Sequence, residues 1–126
     1  MIYISDKEQS RIKRKMAMLP SWMRNDKVGI LVFETVGTII LAYGICMGRF
    51  LHPIEDRVIN RAFDFLISCF FYFALSVAAP FSGGHLNPAV TLALSRKRKD
   101  VRIGLYICAQ ILGGLIGAGI GKHLLI

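Results

Sequence analysis

One segment, Ser82-Gly83-Gly84-His85-Leu86-Asn87-Pro88-Ala89-Val90-Thr91, constrains this chain more than any other. It is too polar and too rich in glycine to continue a spanning helix, yet long apolar runs flank it. Asn87 followed by Pro88 marks a helix start twice over. Asn is a favoured N-cap, and Pro at the first helical position gives up an N–H that would have no partner there. Ala89 to Leu94 then reads as helix, and the basic run Arg96-Lys97-Arg98-Lys99 stops it after about two turns. A helix that short cannot cross a hydrocarbon layer of roughly 30 Å. The sequence therefore predicts a re-entrant loop over 80–95, entering the membrane and turning back.

Three apolar runs surround it. The first covers 28–48 with Glu34 as its only charge, and the second covers 62–79 and is rich in aromatics. The third covers 103–121, with Gln110 as its only strongly polar side chain. Twenty-one helical residues rise about 31 Å, enough to span. With 54% hydrophobic residues in 126, the predicted class is an all-α membrane protein of three transmembrane helices plus one re-entrant half-helix. The membrane domain is 28–126, behind a basic arm over 1–27. The connector from Arg49 to Arg61 is too charged to span, and Asp64, three residues beyond Arg61, suits an interfacial ion pair.

In the arm, Ser5 with Glu8 forms a capping box and Pro20 ends the helix that begins there. Ile12, Met16 and Leu19 give it a thin apolar face opposite Arg11, Lys13, Arg14 and Lys15. Two readings stand: a solvated basic arm, or a helix lying on an anionic membrane surface with Trp22 as its anchor. The net charge of +8 sits at the ends of apolar segments, where it meets headgroups and sets topology, so nucleic acid is not the expected partner. The lipid bilayer is. The first 27 residues contain no apolar stretch of the kind a cleavable secretory signal needs.

Cys46, Cys69 and Cys108 lack metal-ligand spacing and read as small buried hydrophobes. His52, His85 and His123 are scattered, with no nucleophile–base arrangement. No cofactor, metal or enzymatic activity is expected.

Orientation follows from the basic residues. The arm holds seven Lys/Arg and the segment 96–102 holds five, against Arg49, Arg57, Arg61 and Lys122 on the other side. This predicts an N-terminus on the cytoplasmic (or matrix) face, in a plasma membrane or a mitochondrial inner membrane.

Irregular backbone at membrane depth survives only where it lines a polar cavity or is buried in protein. Gly83 and Gly84 permit an unusual backbone whose carbonyls face a narrow path, beside His85. The N-terminus of the half-helix places roughly half a positive charge near the membrane centre, which repels protons and cations while the Asn87 amide donates to a neutral solute. Glu34 costs about 2.5–3.5 kcal/mol at span depth on insertion scales and needs partners. It is read as a brace for the loop rather than a solute ligand, and Gln110 likewise from the third span.

The residues Ser82 to Leu92 resemble the first Asn-Pro-Ala loop of the aquaporin, or major intrinsic protein, family. Phe33-Glu34-x-x-Gly37-Thr38 resembles that family's first-helix signature, and Tyr106-x-x-Ala109-Gln110-x-x-Gly113-Gly114 its third. The resemblance covers about residues 28–121 and implies a right-handed helical bundle, a water or glycerol pore, and tetrameric assembly. It also implies a pore site at Gly83, Gly84, His85, Asn87, Pro88 and Ala89, and a constriction position at Ile67, where an aromatic is usual in the family.

Members of the family carry two such halves as an inverted repeat, and this chain holds the N-terminal one. A homodimer pore would need two copies in opposite orientations, which twelve basic residues against four resist at about 1 kcal/mol per residue. The expected function is therefore an aquaporin-like half-channel subunit, passing water or small neutral solutes when a partner supplies the second half. The alternative is a non-conducting structural subunit of a larger membrane complex. Gly113, Gly117 and Gly121 recur every fourth residue and give the third span a flat face. That face suits another membrane subunit, or else packing within the chain's own bundle.

Overall fold

An apolar run in lipid has no water for its N–H and C=O groups, so it must satisfy them within itself and becomes a helix. The computed structural model describes residues 5–18, 20–21, 26–50, 57–95 and 102–125, and every regular element in them is an α-helix. These are α1 (Asp6–Ala17), α2 (Asp26–Phe50), α3 (Arg57–Ser82), α4 (Pro88–Leu94) and α5 (Arg102–Leu125). Three stretches are long and apolar enough to cross a membrane: Asp26–Gly48, Val58–Ser82 and Arg102–Leu124.

The long helices outrun the spans expected at 28–48, 62–79 and 103–121. Hydropathy marks where side chains meet lipid, whereas a helix ends where its backbone ladder ends. α3 shows the difference most clearly. It continues through Pro80 to Ser82, where Gly83 N donates to the Ala79 carbonyl and the Ser82 hydroxyl oxygen lies 3.0 Å from the Ala78 carbonyl. The bonds beyond the proline hold the last turn that Pro80 weakens.

α2 is the centre of the bundle, with α3 on one side and α5 on the other, and α4 rests on α5. The pairing of α2 with α5 is parallel, with a constant register. Asp26 meets Arg102, Glu34 meets Gln110, Thr38 meets Gly113, Ala42 meets Gly117 and Cys46 meets Gly121. Against α3 the order is reversed: Phe33 stacks on Phe81, Gly37 faces Ala78, Gly44 faces Phe70 and Gly48 faces Ile67.

The glycine stripe of α5 lies in the parallel seam. A Cβ at Gly113 would come within 2.6 Å of the Thr35 carbonyl oxygen, and one at Gly117 within 2.5 Å of that of Ile39. Gly113, Gly117 and Gly121 thus pack against α2 of the same chain, so this face is not open to another subunit. Small residues let two backbones approach closely where lipid offers no hydrophobic drive to join them.

α1 begins at Ser5, whose carbonyl accepts from Glu8 N at 2.9 Å while its hydroxyl donates to the Glu8 carboxylate at 3.3 Å. It ends at Ala17, ahead of Pro20, and packs on none of the other described helices. Trp22 and the Arg96–Lys99 run lie outside the described residues. Cys69 and Cys108 are exposed rather than buried, because they point away from the seams. Among the described residues no ion pair joins Arg61 to Asp64, whereas Arg102 pairs with Asp26 at 3.9 Å.

Candidate functional site

The antiparallel register stops α3 at the level of Phe33, well inside the bundle. Glu34 and Gln110 each lie eight residues beyond the first residue of their helix, about 12 Å along it. Between α3 and α4 the backbone of Gly83 to Asn87 is non-helical at that depth, and its polar groups need partners.

Glu34 supplies most of them. Its side chain is fully buried (0% exposed) and takes four hydrogen bonds. Oε1 accepts from the Ser82 hydroxyl at 2.7 Å and from His85 N at 2.9 Å. Oε2 accepts from Leu86 N at 2.7 Å and from Gln110 Nε2 at 2.8 Å. All four partners are donors, which suits a carboxylate with only acceptor sites. No cationic side chain among the described residues reaches it, so these bonds offset the desolvation that burial imposes.

Gln110, 2% exposed, extends the network. Its Nε2 also donates to Thr91 Oγ1 at 2.9 Å. That hydroxyl lies 3.3 Å from Gln110 Oε1, 3.2 Å from the Asn87 carbonyl and 3.1 Å from His85 Nδ1. The His85 ring stacks on Tyr106 with centroids 4.4 Å apart, and the Tyr106 hydroxyl donates to the Ser82 carbonyl. One side chain from α2 and two from α5 thus hold a loop contributed by α3 and α4.

The backbone conformation explains why so many ties are present. Gly83 and Gly84 have φ of +89° and +65°, and Leu86 has φ of +52°. Glycine adopts these angles freely. A branched side chain pays about 1–2 kcal/mol, which the Glu34–Leu86 bond and burial of the Leu86 side chain against Gly37, Ala74 and Ala78 offset. Asn87 then caps α4: its backbone is extended and its Oδ1 accepts from Ala89 N at 2.8 Å. Pro88 is the first residue of the helix.

What the loop leaves unpaired defines its chemistry. Among the described residues, the carbonyls of Gly83, Gly84 and His85 and the Asn87 Nδ2 group have no hydrogen-bond partner, and Gly83 and Asn87 are exposed. The result is three unpaired acceptors and one unpaired amide donor within five residues, on a loop tied to Glu34 and Gln110.

The structure brings Glu34 and Gln110 together with Gly84, His85 and Asn87. It does not bring Ile67 there: Ile67 packs its Cδ1 against Gly48, fifteen residues before Ser82, or about 22 Å along α3. Ser82, Thr91 and Tyr106 join the network although their residue types alone signal no role in it. Their spacing carries a usable signal, since Tyr106 shares a helix face with Gln110 at i, i+4 and Thr91 stands four residues from Asn87.

Similarity to known proteins is concentrated in short stretches. Probable aquaporin PIP2-6 of Oryza sativa subsp. japonica is 53% identical over 49 residues, which is 37% of this chain and 17% of that protein. Aquaglyceroporin-2 of Rhizophagus irregularis is 48% identical over 48 residues, 36% of this chain and 15% of its own length. The matched stretch therefore spans about a sixth of each relative. No solved structure matches the chain. The Major intrinsic protein family model, by contrast, matches residues 28–125, a range that takes in α2 to α5 and every residue of the braced loop, and on that match the chain belongs to the major intrinsic protein family.

Proposed function

We propose that this chain forms one half of a passive pore for water or small neutral solutes. The observation that carries the proposal is the loop itself: unpaired carbonyls at Gly83, Gly84 and His85 beside an unpaired amide at Asn87, on a backbone tied down by Glu34 and Gln110. Water and polyols accept and donate, so this edge replaces their hydration hydrogen bonds at little cost in reorganisation. Membership of the family and the aquaporin and aquaglyceroporin names of its relatives support that solute class. Among the described residues α4 is the single short helix set between two spanning helices, which we read as re-entrant. A closed path needs an opposing one, supplied by another polypeptide or by further sequence. The basic arm and the 96–102 segment favour an N-terminus on the cytoplasmic or matrix side.

Osmotic shrinkage of reconstituted vesicles tests this. The chain alone is expected to leave water permeability at background, and adding the co-purified second half is expected to raise it. Gentle purification from native membranes followed by mass analysis identifies that half. A partner bearing a second Asn-Pro-Ala loop supports the pore. Recovery only in an assembly of unrelated subunits, with no permeability gain, overturns it in favour of a structural subunit.

A further inference from the structure

The proposed pore uses α2 to α5 and leaves α1 without a role. α1 is 12 residues long and packs on none of the other described helices. A helix of that length is marginal when only water surrounds it, so its order points to a surface that supports it.

Its charges are sorted along and around the axis. Asp6 and Glu8 stand in the first turn, where the positive dipole end favours acids. Lys7, Arg11, Arg14 and Lys15 share one arc of about 100°. Glu8 borders that arc at its N-terminal end, where its carboxylate accepts from the Ser5 hydroxyl at 3.3 Å. Lys13 lies about 145° round from the middle of the arc, and Ile12 about 115°. Residues 5–15 are all exposed. Among the described residues none of these five cations is in an ion pair. Five cations against two acids leave the helix net positive, with the surplus concentrated on the arc.

The occupant follows from the tether. Residues 18–25 alone separate α1 from α2, and a link that short reaches about 30 Å at most. α2 is one of the membrane-spanning helices, so a bilayer surface always lies within reach of α1. A soluble polyanion must diffuse to the arc, whereas headgroups are held beside it at high effective concentration.

We propose that the arc of Lys7, Arg11, Arg14 and Lys15 docks α1 on anionic phospholipid headgroups beside its own membrane domain. Charge complementarity carries the choice: each basic residue near the surface draws an anionic headgroup, and a zwitterionic one gains little. Ile12 lies off the arc, so attachment rests on charge rather than on apolar burial. The proposal stands apart from the pore, since it needs only α1 and a bilayer.

The test reconstitutes the full chain in nanodiscs of phosphatidylcholine, alone or mixed with phosphatidylglycerol, and follows amide hydrogen exchange. Amides of residues 10–17 are expected to exchange at least about tenfold more slowly with phosphatidylglycerol present, while those of α2 and α5 stay unchanged. In about 1 M sodium chloride, where the Debye length is about 3 Å, that slowing is expected to vanish. Two substitutions remove the same charge from different faces, and both keep helix propensity. Arg11→Gln is expected to reverse about fivefold of the slowing, and Lys13→Gln less than about twofold. Equal exchange in the two lipids overturns the proposal in favour of an acidic protein or a nucleic acid on the same arc. Slowing that survives the salt, or equal effects of Arg11→Gln and Lys13→Gln, overturns it as well.

Discussion

Glu34 Oε2 lies 2.7 Å from the amide nitrogen of Leu86, a non-glycine residue held at φ +52°. This contact joins the middle of one spanning helix to the most strained residue of the loop, 52 positions away. It settles two costs together, the unpaired acceptor of a buried carboxylate and the unpaired donor of irregular backbone at membrane depth. Gln110 closes the arrangement from α5 by donating to both Glu34 and Thr91.

Glu34→Gln keeps the shape and exchanges one acceptor oxygen for an NH2 group. Turned one way, the NH2 faces Leu86 N and Gln110 Nε2; turned the other, it faces His85 N, while the Ser82 hydroxyl is free to turn to the Ala78 carbonyl. At about 1–3 kcal/mol for each unsatisfied group, the expected loss of stability is about 1–6 kcal/mol. Chemical denaturation in detergent micelles measures it, and protease cleavage within 83–87 is expected to accelerate. An unchanged midpoint shows that the four bonds contribute nothing net.

The two glycines of the loop differ in their surroundings. Both have positive φ, so an Ala at either costs backbone strain. A Cβ at Gly83 would be 3.7 Å from the His85 ring, an ordinary contact, but one at Gly84 would be 3.2 Å from the backbone of Ala79. Gly84→Ala is therefore expected to destabilise more than Gly83→Ala, whose cost is about 1–2 kcal/mol. Thermal unfolding of the two variants in the same detergent ranks them, and the reverse order contradicts the packing described for Ala79.

The α2–α5 seam makes a similar paired test. A Cβ at Gly117 would lie 2.5 Å from the Ile39 carbonyl oxygen and 2.9 Å from Ala42 Cβ, whereas one at Gly119 meets nothing within 4 Å. Gly117→Ala must push the helices apart, at a cost of about 1–3 kcal/mol. Gly119→Ala keeps the seam and gains helix propensity, so its stability is expected to match or exceed that of the unsubstituted chain. Equal destabilisation by both shows that this seam does not carry the fold.

The class of fold was legible because its causes are local: apolar length, the Asn87-Pro88 start, and charges at the run ends. Glu34 and Gln110 stood out as polar side chains in apolar runs, which lipid forbids without partners. Their actual partners depend on the parallel register of α2 and α5, which no local pattern specifies. Leu86 shows the limit best. Nothing in its residue type signals a left-handed backbone, which is imposed by a carboxylate far away in sequence. The stripe of Gly113, Gly117 and Gly121 announced close packing but not with which helix. Ile67 was placed by counting along the chain, while its contact with Gly48 is set by the antiparallel seam.

At Asn87 the structural role and the proposed pore role can be tested apart. Its Oδ1 caps α4 through Ala89 N, and its Nδ2 is the loop's unpaired donor. Asp caps as well as Asn but carries a second acceptor in place of that donor. Asn87→Asp keeps the cap but adds a carboxylate at span depth, expected to cost up to about 2.5–3.5 kcal/mol on insertion scales, whereas Asn87→Ala loses the cap and about 1 kcal/mol. In vesicles containing the completed pore, both are expected to slow water flux, by about fivefold to tenfold for a lost hydrogen bond of about 1–1.5 kcal/mol. Stopped-flow light scattering measures this. Unaltered flux through Asn87→Asp would remove the amide from the path and leave Asn87 as a helix cap alone.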